Sequence, residues 1–217
     1  MGIFYFPSQF VYWKRIKNHK NFKDKLLNII DNNISLKEHA LIGNGVSTYN
    51  KRDENGIDIN KIIVESNKDI IDSVVWETLD SALKELNGRQ NHDKIDILES
   101  RIIGSWISLY DNNGTVDIHN HESYTTRIID GKEYKHTFSM IYILKDDNER
   151  NQTVFLNPQM CGVSTSKILE TKFDTGNIKE IGEGTVLVFP SNLYHYVKSI
   201  TKPGRIVLSF NIMSLYH

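Results

Sequence analysis

Hydrophobic positions change their spacing part-way along this chain, and the change divides it into two regions. Residues 1–18 alternate aromatic and polar side chains and predict extended structure broken at Pro7. Residues 19–32 carry Phe22, Leu26, Leu27 and Ile30 at helical spacing. Residues 43–60 are rich in Gly, Asn and Asp and predict a loop. A stronger helix is predicted from about Asn67 to Leu86, with Ile70, Ile71, Val74, Val75, Leu79, Leu83 and Leu86 on one stripe. Asn87-Gly88 then stops it.

Beyond residue 94 the spacing becomes two. Strands are predicted over 96–110, 115–121, 136–144, 153–157, 185–190, 194–200 and 205–213, each bounded by Gly, Asn, Asp or Pro. Helices followed by many strands predict an antiparallel barrel or jelly roll buttressed by helices. The expectation is one domain over 1–217, with supporting elements in 1–93 and a β core in 94–213. Two polar connections, 122–135 and 158–184, are long enough to serve as lids or binding loops.

Composition narrows the class. The 217 residues carry a net charge of -1, so the basic excess of a nucleic-acid binder is missing. No apolar run approaches the roughly 20 residues of a membrane span. A single cysteine, Cys161, allows no internal disulfide, and the start lacks the features of a signal peptide; a reducing cytoplasm is expected.

Three features carry candidate chemistry. Asp117-Ile118-His119-Asn120-His121-Glu122 places Asp117, His119 and His121 on one face if the strand is regular, and paired imidazoles suit iron, copper, zinc or nickel. Next comes Phe189-Pro190-Ser191-Asn192-Leu193-Tyr194-His195, an apolar strand, a turn and a third histidine. Ten residues past His195, Arg205 begins a strand on which Val207, Ser209 and Asn211 share its face. A guanidinium grips a carboxylate through two parallel hydrogen bonds.

With Ser105-Trp106-Ile107-Ser108 and Ser139-Met140-Ile141-Tyr142-Ile143-Leu144, these motifs make residues 94–213 resemble the 2-oxoglutarate/iron(II) oxygenase superfamily, and within it a branch with a His-x-His motif. The resemblance implies a double-stranded β-helix. It implies Fe(II) held by His119, His121 and His195, and 2-oxoglutarate held by Arg205, with Tyr142, Ser209 and Asn211 as helpers facing the same barrel mouth. It implies oxidation of a second substrate, most simply a hydroxylation, with dioxygen consumed and 2-oxoglutarate decarboxylated. The usual triad is two histidines and a carboxylate. His121 stands at the carboxylate's position, so Asp117 and Glu122 are further candidates for the third ligand. A cupin-like metal enzyme that does not use 2-oxoglutarate, and a metal- or sugar-binding jelly roll without activity, are the rival readings. Trp106 reads as core packing and His136 as an exposed strand residue. His19, His39, His92 and His217 show no partner pattern, and Cys161 reads as incidental.

Overall fold

A computed structural model describes residues 2–6, 9–33, 37–38, 42–49, 59–88, 95–121, 126–147, 153–157 and 172–216. Strands β1 (Gly2–Phe6) and β2 (Gln9–Arg15) lead into helix α1 (His19–Asn33). Short strands β3 (Lys37–Glu38) and β4 (Ile42–Ser47) follow, then α2 (Ile59–Ser66), α3 (Lys68–Ile71) and α4 (Glu77–Asn87). The remainder is β5 (Ile97–His119), β6 (Arg127–Ile129), β7 (Lys132–Lys145), β8 (Thr153–Leu156), β9 (Lys172–Asp174), β10 (Thr185–Pro190), β11 (His195–Val197) and β12 (Arg205–Tyr216). The predicted loop over 43–60 therefore contains most of β4 and the start of α2. Cys161, Glu122, His39, His92 and His217 lie outside the described residues.

The predicted long helix is helical from Lys68 to Asn87, but residues Asp72–Trp76 form a π turn. Ile70, Val74, Thr78, Ala82 and Leu86 are all buried at intervals of four. Four residues outrun the 3.6 of an α-helix. One wider turn brings the stripe back onto the sheet.

The strands pair antiparallel in the order β1-β2-β10-β7-β12-β5-β11-β8-β9. This curled sheet is a double-stranded β-helix, as expected. Its outer face presents Met140, Tyr142, Leu144, Val186, Val188, Leu208 and Phe210 to Phe22 and Leu26 of α1 and to Val74, Val75 and Leu79. Its inner face encloses a second core of Ile141, Ile143, Phe155, Leu187, Phe189, Val197 and Val207. Burying a side chain of this size contributes roughly 1.5–3 kcal/mol, so both faces of β7, β10 and β12 are anchored.

Strand β5 joins the two halves. Up to Tyr110 it pairs with β12, and from Val116 to His119 it pairs with β11. Asn112-Asn113-Gly114, which suggests a chain-reversing turn, instead kinks one continuous strand. Asn113 sits at φ 63, and its N–H donates to the Ile200 carbonyl at 3.0 Å. A Cβ at Gly114 would lie 2.9 Å from the Asn44 and Asp111 carbonyl oxygens, so only glycine fits the kink.

Candidate metal and oxyanion site

His119 ends β5 and pairs directly with His195, which begins β11. His121 lies two residues beyond, where its backbone N–H donates to the Ser191 carbonyl at 2.8 Å. The Phe-Pro-Ser turn thus has a structural job. Ser191 also donates its N–H to the Thr137 carbonyl, and Leu193 to the Pro190 carbonyl, so one turn fixes both His121 and His195.

One ring nitrogen of each of His119, His121 and His195 lies within 4.8 Å of the other two. The Nδ1–H of His119 donates to the Asp117 carbonyl at 2.7 Å, and that of His195 to the Leu193 carbonyl at 3.0 Å. These partners assign the Nδ1–H tautomer and leave Nε2 with its lone pair. The Nε2 atoms of His121 and His195 face each other at 3.3 Å. Burial holds all three imidazoles neutral: His121 falls to about 3, and His119 and His195 also fall below the usual 6.5. Three neutral nitrogens converging on one point form a donor set for a divalent transition metal. The surroundings are aromatic. Phe189 meets the His195 ring edge-on at 4.9 Å, and Phe155 lies 5.6 Å from it.

Asp117 does not join this set. Asp117 and Ile118 intervene between Val116 and His119, opposite the single residue Tyr196, and this β-bulge reverses the alternation. Val116 and His119 face the interior, whereas Asp117 and Ile118 are exposed.

Arg205, Ser209 and Asn211 line the inner face of β12 with Val207. Arg205 is 1% exposed. Its Nη2 donates to Thr153 Oγ1 at 3.1 Å, its Nε lies 3.6 Å from Asp146 Oδ2, and its Cζ stands 5.3 Å from the Tyr110 ring centre. Asp146 reaches this position through a second bulge. Ile206 pairs with Lys145 but Val207 with Ile143, and the extra residue Leu144 turns Asp146 inward.

Tyr142 departs from expectation. Ile141 and Ile143 face the interior, so Tyr142 faces the helices, where its hydroxyl lies 2.7 Å from His19 Nδ1. His19 Nε2 in turn lies 3.3 Å from Glu183 Oε1. Both faces of β7 are apolar, so the sequence carries no signal for which face turns inward.

Sequence reasoning also passes over residues that line the site. Trp106 stacks on His121 with ring centres 5.4 Å apart and planes 17° apart, and Tyr49 meets Trp106 edge-on at 5.2 Å. His136 is half-buried and hydrogen-bonded to Asn211. The extra residue Thr137, between the pairs Ile212–Phe138 and Met213–His136, turns it inward. Tyr110 and Thr153 against Arg205 carry no motif. An alternation count extended from Arg205 to its partner strand finds Tyr110, because the two are direct cross-strand neighbours.

No family model and no curated protein matches the sequence. Solved structures do match. The non-heme alpha-ketoglutarate-dependent epimerase SnoN of nogalamycin biosynthesis superposes with a TM-score of 0.59 at 9% identity, over 93% of this chain and 77% of that one. A 2OG-Fe(II) oxygenase-family oxidoreductase from Burkholderia pseudomallei gives 0.56 at 10% identity, over 93% and 83%. The chain has the fold of the 2-oxoglutarate/iron(II) oxygenases. HygX from Streptomyces hygroscopicus, solved with nickel and 2-oxoglutarate bound, gives 0.53 at 12% identity over 93% and 82%. At these identities the likeness establishes the oxygenase fold, and activity is argued from the site. Among the described residues no helix is long and apolar enough to cross a membrane.

Proposed function

We propose that this protein is an Fe(II)- and 2-oxoglutarate-dependent dioxygenase that oxidises a second substrate, most simply by hydroxylation. The observation that carries the reading is the convergence of three neutral imidazoles in a barrel whose inner face also carries a buried arginine. His119, His121 and His195 would hold the metal through nitrogen. Arg205 would receive the distal carboxylate of 2-oxoglutarate, with Thr153 orienting the guanidinium and Tyr110 walling the pocket. Ser209, on the same face, would offer a hydroxyl to the same ligand. The donor set fits iron(II), which imidazole ligates, and three protein ligands leave positions open for a chelating keto acid and dioxygen. The metal, when bound, couples decarboxylation of 2-oxoglutarate to oxidation of the second substrate. HygX, of the same fold, holds nickel and 2-oxoglutarate, which supports the pairing of ligands. Phe155, Phe189 and Trp106 keep the imidazoles in apolar surroundings and limit access of water.

The test is anaerobic calorimetry of 2-oxoglutarate with and without iron(II), read beside the visible metal-to-ligand charge-transfer band. Metal-dependent binding that disappears in His195→Ala and Arg205→Ala is expected. Absence of metal-dependent binding in the wild type overturns the reading. The Asp146 carboxylate beside Arg205 favours a second reading, in which Arg205 is a structural ion-pair partner in a metal enzyme that does not use 2-oxoglutarate. In that case Arg205→Ala leaves turnover of the true substrate unchanged.

A further inference from the structure

The three histidines are not oriented in the same way. His119 and His195 each give their Nδ1–H to a backbone carbonyl two residues earlier, a partner that any sequence supplies. His121 presents Nε2 to His195 and hydrogen-bonds the side chain of Asn211, so its other nitrogen, Nδ1, is the one that faces the amide. That amide is itself held. Asn211 pairs across the sheet with Ser139, whose hydroxyl donates to Asn211 Oδ1 at 3.0 Å. Ser139 Oγ lies 3.1 Å from Ser191 Oγ, and Ser191 is the residue whose carbonyl receives the His121 backbone N–H. The path from Asn211 through Ser139 and Ser191 therefore closes back on His121.

Resting on the metal-site reading above, we infer that Asn211 is a positioning residue for the third metal ligand, fixing the His121 ring with Nδ1–H toward its amide oxygen and Nε2 toward the metal. This gives Asn211 a task different from contacting 2-oxoglutarate. It also explains how an imidazole serves at a position where a carboxylate is commoner. A carboxylate needs no tautomer to be selected, whereas an imidazole ligates only through the nitrogen that lacks the proton. His136 hydrogen-bonds the same Asn211 side chain.

The experiment titrates cobalt(II) into wild type, Asn211→Ala, Asn211→Asp and Ser139→Ala. Affinity is read by calorimetry, and the ligand-field spectrum reports the coordination sphere. Removing an outer partner of a metal-bound histidine weakens affinity by roughly 10–100-fold. Asn211→Ala is expected to fall in that range with an altered spectrum. Asn211→Asp, which still accepts the Nδ1–H, is expected to bind at least as tightly as wild type. Ser139→Ala, which frees the amide without removing it, is expected to lose about threefold to tenfold, and it carries the test if Asn211→Ala does not fold. Wild-type affinity and spectrum in Asn211→Ala overturn the inference, as does an equal loss in Asn211→Ala and Asn211→Asp. A wild type that binds no cobalt overturns the metal site itself, a distinct outcome.

Discussion

Two parts of one barrel interior bury polar groups by opposite means. Around Arg205 a permanent cation is buried with an acid: Arg205 and Asp146 have side chains 1% and 2% exposed, with Nε and Oδ2 3.6 Å apart. Around His195 three ionisable rings are buried together, and no acidic side chain joins their cluster among the described residues. Guanidinium cannot shed its proton, so its desolvation must be met by a partner. Imidazole can shed its proton, so a cluster becomes neutral and needs no counter-ion. One region therefore keeps a guanidinium whose fork of N–H donors can meet a carboxylate, and the other presents lone pairs suited to a cation.

The comparison breaks most sharply at the histidines. His195→Ala removes a donor that is buried and centrally placed, and two imidazoles remain. Affinity for iron(II) or cobalt(II) is expected to fall by at least ~100-fold, more than any loss of an outer partner. Calorimetry and metal analysis of the purified variant check this. Binding within tenfold of wild type would show that the cluster is not a metal site.

The paired region answers to a stability measurement. Arg205→Ala leaves Asp146 buried beside an empty space, and breaking such a pair costs roughly 3–5 kcal/mol. Replacing both with apolar residues, as in Arg205→Met with Asp146→Leu, is expected to recover most of that loss in urea unfolding. The double variant should still bind metal and should not bind 2-oxoglutarate. If Arg205→Ala alone unfolds like wild type, the pair is not a stabilising requirement of the fold.

How much of each region is legible in the sequence follows from strand regularity. Strand β12 alternates without interruption from Arg205 to Asn211 against β5, so the shared face of Arg205, Val207, Ser209 and Asn211 can be read by counting. The histidine motifs stand out because of residue type and order. What counting misreads lies beside an extra residue. Asp117 turns outward, and His136 and Asp146 turn inward, each next to a bulge whose extra residue carries no sequence signal of its own. Tyr142 fails for another reason. Its strand is regular there, but both faces are apolar, and alternation alone does not say which is the interior. Asn112-Asn113-Gly114 has residue types that suit a turn, and the structure spends them on a kink, with Asn113 at positive φ, that carries one strand from β12 to β11.

The neutral histidines give the metal-free protein a pH dependence of its own. His121 titrates near 3 in the folded state, and His119 and His195 also lie below 6.5. In the unfolded chain each takes up a proton near pH ~6.5. Below that pH the unfolded state binds more protons than the folded state, so stability falls as pH drops. The contribution of His121 is complete above about pH 6.5 and declines progressively toward about 3. Chemical unfolding of the metal-free protein between pH 7 and pH 4 is expected to show this decline, with a shallower slope in His121→Asn. An identical slope in that variant would mean that His121 is not buried neutral in solution.

The smallest expected effect separates the two faces of the sheet. Ser209 lies on the inner face of β12 and Tyr142 on the outer face of β7, and both were expected to help hold the co-substrate. Ser209→Ala removes the hydroxyl proposed to meet 2-oxoglutarate and is expected to weaken its binding by about twofold to tenfold, with little change in stability. Tyr142→Phe removes the 2.7 Å contact with His19 between sheet and helix α1. Its expected cost is about 0.5–1.5 kcal/mol of stability, with metal and 2-oxoglutarate affinities unchanged. The two variants should thus exchange their readouts, one moving affinity and the other moving unfolding. A Tyr142→Phe protein of wild-type stability and weakened 2-oxoglutarate binding would place that hydroxyl at the co-substrate after all. It would also reverse the facing of β7, which lies between β10 and β12 in the sheet.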